Sequence, residues 1–382
     1  MSKVKVMSIF GTRPEAIKMA PLIKELEKNE NIESLVCVTA QHREMLDQVL
    51  EIFKIKPDYD LDIMKSRQTL TDILTGSLVG IEEVLKKESP DLVLVHGDTS
   101  TTFAGALMTF YHQKKVGHVE AGLRTYDKYQ PFPEEMNRVL TTRLADFNFA
   151  PTTLSKNNLL KENISPDTIF VTGNTVIDCL KFTIKDDYIF NVDMLNNIDY
   201  KNKKIIVVTA HRRENLGEPL KDICNAVLDI VENNEDVEVV YAVHLNPAVR
   251  ETAHNILGDN DRIHLCDPLD LLDMHNLLHR SHLVLTDSGG LQEEVISMKK
   301  PVVVLRNVTE RPEGVDAGAL KLAGTERKNV FEITDYLLKN EDAYKKMAQT
   351  KNPFGDGKAS ERIVDAILYS FGINENSPED FS

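Results

Sequence analysis

Leu92-Val93-Leu94-Val95-His96-Gly97-Asp98-Thr99-Ser100-Thr101-Thr102 decides the fold class of this chain. Four consecutive apolar residues suit a strand covered on both faces. Gly97 breaks the run, and hydroxyl residues around Asp98 lead into a helical stretch, Thr101–Tyr111. Asp, Thr and Ser all favour the residue that caps a helix start. A buried strand running straight into a helix is the unit of a doubly wound α/β sheet.

The same unit recurs in both directions. Val4–Phe10, Leu35–Thr39, Gly117–Val119 and Phe147–Ala150 read as further strands of the first half, separated by helical stretches. In the second half, Ile169–Thr172, Lys204–Thr209, Val237–Ala242, Arg262–Leu265, Leu283–Thr286 and Val302–Leu305 repeat the pattern. Alternation of this kind implies parallel order with right-handed crossovers. A chain of 382 residues exceeds one ordinary core, so two domains are expected. The boundary falls near Ser165–Gly173. The first domain is 1–168, completed by a returning helix within 359–372, and the second is 169–358. Asp186–Lys203 reads as a polar surface excursion, and Gly372–Ser382 as a frayed tail.

Composition excludes several classes. Lys plus Arg is 45 and Asp plus Glu is 60, leaving a net charge of −15. Nucleic acids and anionic membranes need a basic face, so neither is an expected partner. No apolar run of 18 residues is present, and the N-terminus reads directly into a strand without a signal-peptide pattern. Cys37, Cys179, Cys224 and Cys266 form no C-x-x-C pair, which fits a reducing cytoplasm. No metal-ligand spacing, G-x-G-x-x-G or G-x-x-x-x-G-K-[ST] occurs, so neither a metal nor a cofactor is expected.

Polar residues gather at the C-terminal strand ends, where open α/β sheets bind ligands. Gly11-Thr12-Arg13-Pro14-Glu15 follows the first strand. Its helix start and Arg13 fork suit an anion, with Lys18 one turn on. Asp98, Glu120 and Glu134 each end a strand or lie in the loop beyond one. Three converging carboxylates are expected to raise at least one pKa and so set an acid beside a base. His211-Arg212-Arg213 follows a strand of the second half and suits an anionic leaving group. Ser288-Gly289-Gly290 opens a helix whose N–H groups suit a diphosphate, and Glu294 could accept from a ribose diol. Arg311 adds a cation nearby.

Taken together, Phe10–Pro21, Thr39–Leu50, Val95–Thr99, Gly117–Thr125 and Asp287–Glu294 resemble the bacterial non-hydrolysing UDP-N-acetylglucosamine 2-epimerase family, from about Val4 to Ala366. The resemblance implies two Rossmann-like domains facing a central cleft, the GT-B-like arrangement of many glycosyltransferases. It implies interconversion of UDP-N-acetylglucosamine and UDP-N-acetylmannosamine in the cytoplasm, through loss and re-addition of UDP, for surface polysaccharide or teichoic-acid synthesis. Carried over by motif, Arg13, Lys18, Ser288, Gly289, Gly290, Glu294 and Arg311 would hold UDP. Asp98, Glu120, Glu134 and His211 would surround the sugar and the leaving diphosphate. Gln41, His42, Arg67 and Gln68 match segments implicated in binding a second, activating substrate molecule, and a homodimer is implied. Competing readings are a hydrolysing epimerase, a glycosyltransferase of the same fold and a nucleotide-sugar sensor.

Overall fold

The computed structural model describes residues 3–40, 43–65 and 68–382. The chain divides into two compact units, residues 1–182 with 354–382, and residues 183–353. The first unit contains β1 (Val4–Phe10), α1 (Arg13–Lys28), β2 (Ile32–Val38), α2 (Arg43–Ile52), β3 (Tyr59–Asp60), α3 (Leu70–Glu88), β4 (Leu92–His96) and α4 (Ser100–Tyr111). It continues through β5 (Lys115–Val119), α5 (Glu134–Leu144), β6 (Phe147–Ala150), α6 (Thr153–Lys161), β7 (Ile169–Val171) and α7 (Thr175–Thr183). Its strands are ordered β3-β2-β1-β4-β5-β6-β7 and the pairs are parallel. Met7, Ile9, Val93 and Val95 pack under Ile81, Leu85 and Ala104 of α3 and α4. Each such buried side chain stabilises the sheet by about 2 kcal/mol. Gly105 lets α4 lie close on β4, since a Cβ there would sit 2.8 Å from Val95 Cγ1. That contact seats the start of α4, and with it Asp98, against the end of β4.

The second unit holds α8 (Asp193–Asn196), β8 (Lys204–Thr209), α9 (Glu218–Asn233), β9 (Val237–Ala242), α10 (Pro247–Leu257), β10 (Ile263–Cys266) and α11 (Leu271–Arg280). It continues through β11 (Leu283–Thr286), α12 (Gly289–Ser297), β12 (Val302–Val304), α13 (Pro312–Asp316), β13 (Leu320–Leu322), α14 (Arg327–Lys339) and α15 (Glu341–Ala348). The order β10-β9-β8-β11-β12-β13 is again parallel. Apolar faces of α9, α10 and α14 cover Ile206, Val208, Val239 and Tyr241. A final helix, α16 (Ala359–Ser370), returns to the first unit and packs on α1.

Three expectations change here. The boundary drawn at residue 168 is displaced, because β7 pairs with β6 and the first unit runs on through α7. Asp178 on α7 then accepts from Ala359 N at 3.2 Å and Ser360 N at 2.8 Å, satisfying the start of α16. Beside it, Asn174 N donates to Phe354 O at 2.7 Å. Gly173, with φ +85°, lies where a Cβ would come within 3.3 Å of Gly355 Cα, so the outgoing and returning strands of chain touch there. Second, the Asp186–Lys203 segment is not a surface excursion, since Phe190, Leu195 and Ile198 are buried and Asp273 accepts from Tyr188 and Asn191. Third, the tail is docked. Phe381 is buried, its N–H donates to Val171 O at 2.7 Å, and Asp380 accepts from Val171 N at 3.0 Å. The tail thereby occupies the open edge at β7.

Among the described residues no helix is long and apolar enough to cross a membrane. Among the described residues the cysteines form no disulfide.

Candidate active site

In the first unit the ends of β1, β4 and β5 bring three loops together. Glu15 organises the first of them. Its Oε2 accepts from Gly11 N at 3.0 Å, Thr12 N at 2.8 Å and Thr12 Oγ1 at 2.8 Å. Its Oε1 accepts from Thr99 Oγ1 at 2.7 Å, with Thr102 Oγ1 at 3.1 Å. A single buried carboxylate therefore ties the loop after β1 to the loop after β4. The N–H groups of Gly11 and Thr12, expected to face an anion, are already spent on it. Arg13 is half-buried and has no side-chain partner among the described residues, so its guanidinium remains open to a ligand.

Glu120 sits at the end of β5 with φ +63°, a left-handed conformation that costs a residue with a Cβ roughly 1–2 kcal/mol. It is buried. Lys18 Nζ pairs with its Oε2, and His96 Nε2 lies 2.8 Å from the same oxygen. Burial alone would raise the carboxyl's pKa, but Lys18 and His96 outweigh it and hold the group well below the usual carboxylate range. Glu120 thus departs in the opposite direction from the rise expected of a carboxylate cluster. Lys18, expected on UDP, is engaged by Glu120 instead.

Asp98 follows β4. Arg138 Nη2 meets its Oδ2 at 2.6 Å, and Asn137 Nδ2 donates to its carbonyl at 2.9 Å. Both partners project from α5, whose first residue is Glu134. Gly97 N donates to Val119 O at 2.9 Å, which stitches the Asp98 loop to the Glu120 loop. Asp98, Glu120 and the start of α5 are therefore held in one neighbourhood by direct bonds. The Glu134 side chain is half-buried and unpartnered among the described residues.

Beneath them, His118 on β5 is fully buried. Its Nε2 is 2.7 Å from Gly97 O and must donate, so Nδ1, 3.3 Å from Thr142 Oγ1, accepts. Burial pushes the imidazole down to about 3, and it is neutral. An unfolded histidine takes up a proton near pH 6.5 that the folded one refuses. Stability should be intact above pH 6.5 and should fall below it by about 1.4 kcal/mol per pH unit. Urea unfolding at pH 7, 6 and 5 should show His118→Gln losing that share of the slope. An unchanged slope would mean that His118 does not carry it.

In the second unit, Asp287 directly follows β11 and is fully buried. It accepts at Oδ2 from His211 N at 2.7 Å, Arg212 N at 2.7 Å and Asn215 Nδ2 at 3.0 Å. This seats the loop after β8 beside the start of α12. His211 stacks on His244 with ring centroids 5.2 Å apart. Burial lowers its pKa, opposed by Asp287. Ser288 precedes α12, and Gly289 and Gly290 form its first two positions. A Cβ at either glycine would meet nothing closer than 3.7 Å. Protein packing does not demand glycine there, and the missing side chains leave room above the helix N-terminus for a ligand. Arg212 Nη1 lies 3.7 Å from Glu310, and Arg306 lies between Glu214 and Glu310 at 3.2 and 3.6 Å. Arg311 pairs with Glu293, and Glu294 Oε2 is 3.1 Å from His275 Nε2.

Of the residues assigned to a second substrate molecule, Gln41, His42 and Arg67 lie outside the described residues. Gln68 donates to Ile63 O beside α3. Among the described residues no group of three or more His, Cys, Asp or Glu could hold a metal ion. Sequence reasoning passed over His96, Glu15, Arg138 and Asp287. A histidine at the last position of an apolar strand and the T-x-x-E capping pattern at Thr12–Glu15 were the available signals.

The chain matches a family model described as UDP-N-acetylglucosamine 2-epimerase over residues 24–368. It is 58% identical to the UDP-N-acetylglucosamine 2-epimerase of Bacillus subtilis over 382 residues, the full length of both. It is similar to the S. aureus MnaA–UDP structure, with 52% identity and TM-score 0.87 over 99% of this chain and 100% of that one. The Neisseria meningitidis UDP-GlcNAc 2-epimerase bound to UDP-GlcNAc is 49% identical, with TM-score 0.86 over 96% of this chain and 100% of that one. With parallel strand–helix units in both halves and this likeness along its whole length, the chain belongs to the UDP-N-acetylglucosamine 2-epimerase family.

Proposed function

We propose that the chain interconverts UDP-N-acetylglucosamine and UDP-N-acetylmannosamine without releasing free sugar. C2 carries an acetamido group and has no carbonyl beside it, so its proton is only weakly acidic. Breaking the C1–O bond to UDP while a carboxylate takes the C2 proton gives 2-acetamidoglucal and UDP. Adding UDP back, with a proton delivered to the other face of C2, inverts that carbon and leaves no net change in water. The observation that carries this reading is Glu120, buried yet kept ionised by Lys18 and His96 in the neighbourhood of Asp98 and the start of α5.

In this reading Asp98, Glu120 and Glu134 share the proton transfers and steady the positive charge that develops at C1. Arg13, His211 and the Ser288-Gly289-Gly290 helix start meet the diphosphate, with Glu294 and Arg311 behind them. The resemblance also carries to this chain a homodimer and an activating second UDP-N-acetylglucosamine beside Gln41, His42, Arg67 and Gln68. It carries a cytoplasmic place too, in supply of surface polysaccharide or teichoic acid.

The test is a proton NMR time course on UDP-N-acetylglucosamine in D₂O with purified protein. UDP-N-acetylmannosamine should appear with deuterium at C2. Full retention of the original hydrogen would exclude proton abstraction. Accumulation of free N-acetylmannosamine would replace this reading with the hydrolysing one.

A further inference from the structure

Asp287 has one oxygen saturated and one idle. Oδ2 accepts three hydrogen bonds, from His211 N, Arg212 N and Asn215 Nδ2. Oδ1 is buried and has no hydrogen-bond partner among the described residues, while His211 Nδ1 stands 3.6 Å away. A buried carboxylate oxygen without a partner is costly, and 3.6 Å is just beyond hydrogen-bond length. The backbone bond from His211 N to Oδ2 already fixes where the ring is attached. Stacking on His244 at 11° between planes restricts how it turns. A small adjustment closes the gap only if Nδ1 carries a hydrogen, because a carboxylate cannot donate.

We propose that Asp287 is a positioning residue that keeps the His211 proton on Nδ1 and supports the imidazolium when a diphosphate charge develops at its other nitrogen. The proposal rests on the reading of His211 as the group that meets the leaving diphosphate. With Nδ1–H directed at Asp287, neutral His211 presents a bare Nε2. Uptake of one proton from solvent gives an imidazolium held between two anions, Asp287 on one side and the diphosphate on the other. The charged or titratable groups around His211 are Asp287 after β11, His244 after β9 and the adjoining Arg212, itself near Glu310. Arg212 and His244 both oppose a positive charge on the ring, which leaves Asp287 as the group that favours it.

Asp287→Asn is the discriminating variant. Its carbonyl can take over the three donors, so the fold is retained. Its amide would face Nδ1 as a donor and hold the single hydrogen on Nε2, so the ring would meet the diphosphate only as a neutral donor, and a second proton on Nδ1, pointing at the amide, would be disfavoured where Asp287 favours it. Turnover should fall roughly 10- to 100-fold with KM little changed. The protonated form works below its pKa, so the alkaline limb of kcat should move to lower pH in the variant. Adding Asp287→Asn to His211→Asn should cost almost nothing further, whereas a merely structural role would cost the same in both backgrounds. Independently of activity, ¹⁵N-histidine NMR of the unmodified protein should show His211 as the Nδ1–H tautomer, assigned by its loss in His211→Asn. An Nε2–H tautomer, or an unmoved pH profile in a folded Asp287→Asn, overturns the proposal. If the protein shows no epimerase activity, the Proposed function fails while the tautomer measurement still decides this point.

Discussion

Glu120→Gln is expected to reduce kcat by roughly 10²- to 10⁴-fold, the usual contribution of a positioned acid or base. Asp98→Asn and Glu134→Gln should fall in the same range, and wild-type turnover in all three would reject the assignment. Glu120 differs from the other two in a second respect. Its carboxylate neutralises Lys18 and lies against His96 in a site that is almost dry. Glutamine leaves the half-buried ammonium of Lys18 without a counter-charge, which should cost about 2 kcal/mol of stability, less than for a fully buried pair because water still reaches Lys18. A Glu120→Gln/Lys18→Met pair should recover most of that stability in urea unfolding and none of the turnover. The sign with pH follows from the direction of the shift. A depressed carboxyl contributes its full stability above the unfolded value near 4.3 and loses it as pH falls through the lower folded value.

Glu15→Ala should have the largest effect on stability of any single change at the strand ends. It strands the N–H groups of Gly11 and Thr12 and the hydroxyls of Thr12 and Thr99, while the Thr102 hydroxyl keeps the carbonyl of His96. At 1–3 kcal/mol for each buried orphan, with water relieving some, the loss should be about 3–5 kcal/mol. Glu15→Gln keeps an oxygen for Gly11 and Thr12 and offers Thr99 Oγ1 a donor, which a hydroxyl can accept. That variant should lose only about 1 kcal/mol. Thermal unfolding of both distinguishes a geometric role from a purely electrostatic one. Equal losses in the two variants would show that the charge, and not the bridging of two loops, is what the fold needs.

The parts of the fold that were legible in the sequence are those with strong local pattern. The continuous apolar runs of β4 and β8 and the helix from Glu134 to Leu144 stand where periodicity places them. What was not legible is set by distant partners. Strand β3 has two residues and β13 three, too short for any period to register. Whether a three-residue strand such as β7 joins one sheet or the other depends on which edge is open, and no local residue states that. The same division holds at the site. Asp98 and Glu120 could be singled out because they stand just beyond strand ends, and Glu134 because it opens the helix after such a loop. The roles of Glu15 and Asp287 depend on partners more than 70 residues away. Phe381, an aromatic residue in an otherwise polar tail, was the sign that the tail docks.

The contact between Asn174 and Phe354 has a consequence for biogenesis. The second unit is spliced into the first, so about 170 residues leave the ribosome before the segment that completes the first sheet's edge is made. The entropy of closing so long a loop grows only with the logarithm of its length, and a folded insert shortens it further. Nascent chains should therefore finish the inserted lobe early and keep the β7 margin uncovered until the segment carrying Asp380 and Phe381 has emerged. During that interval the uncovered strand is a point where a chaperone could act and where two nascent chains could pair wrongly.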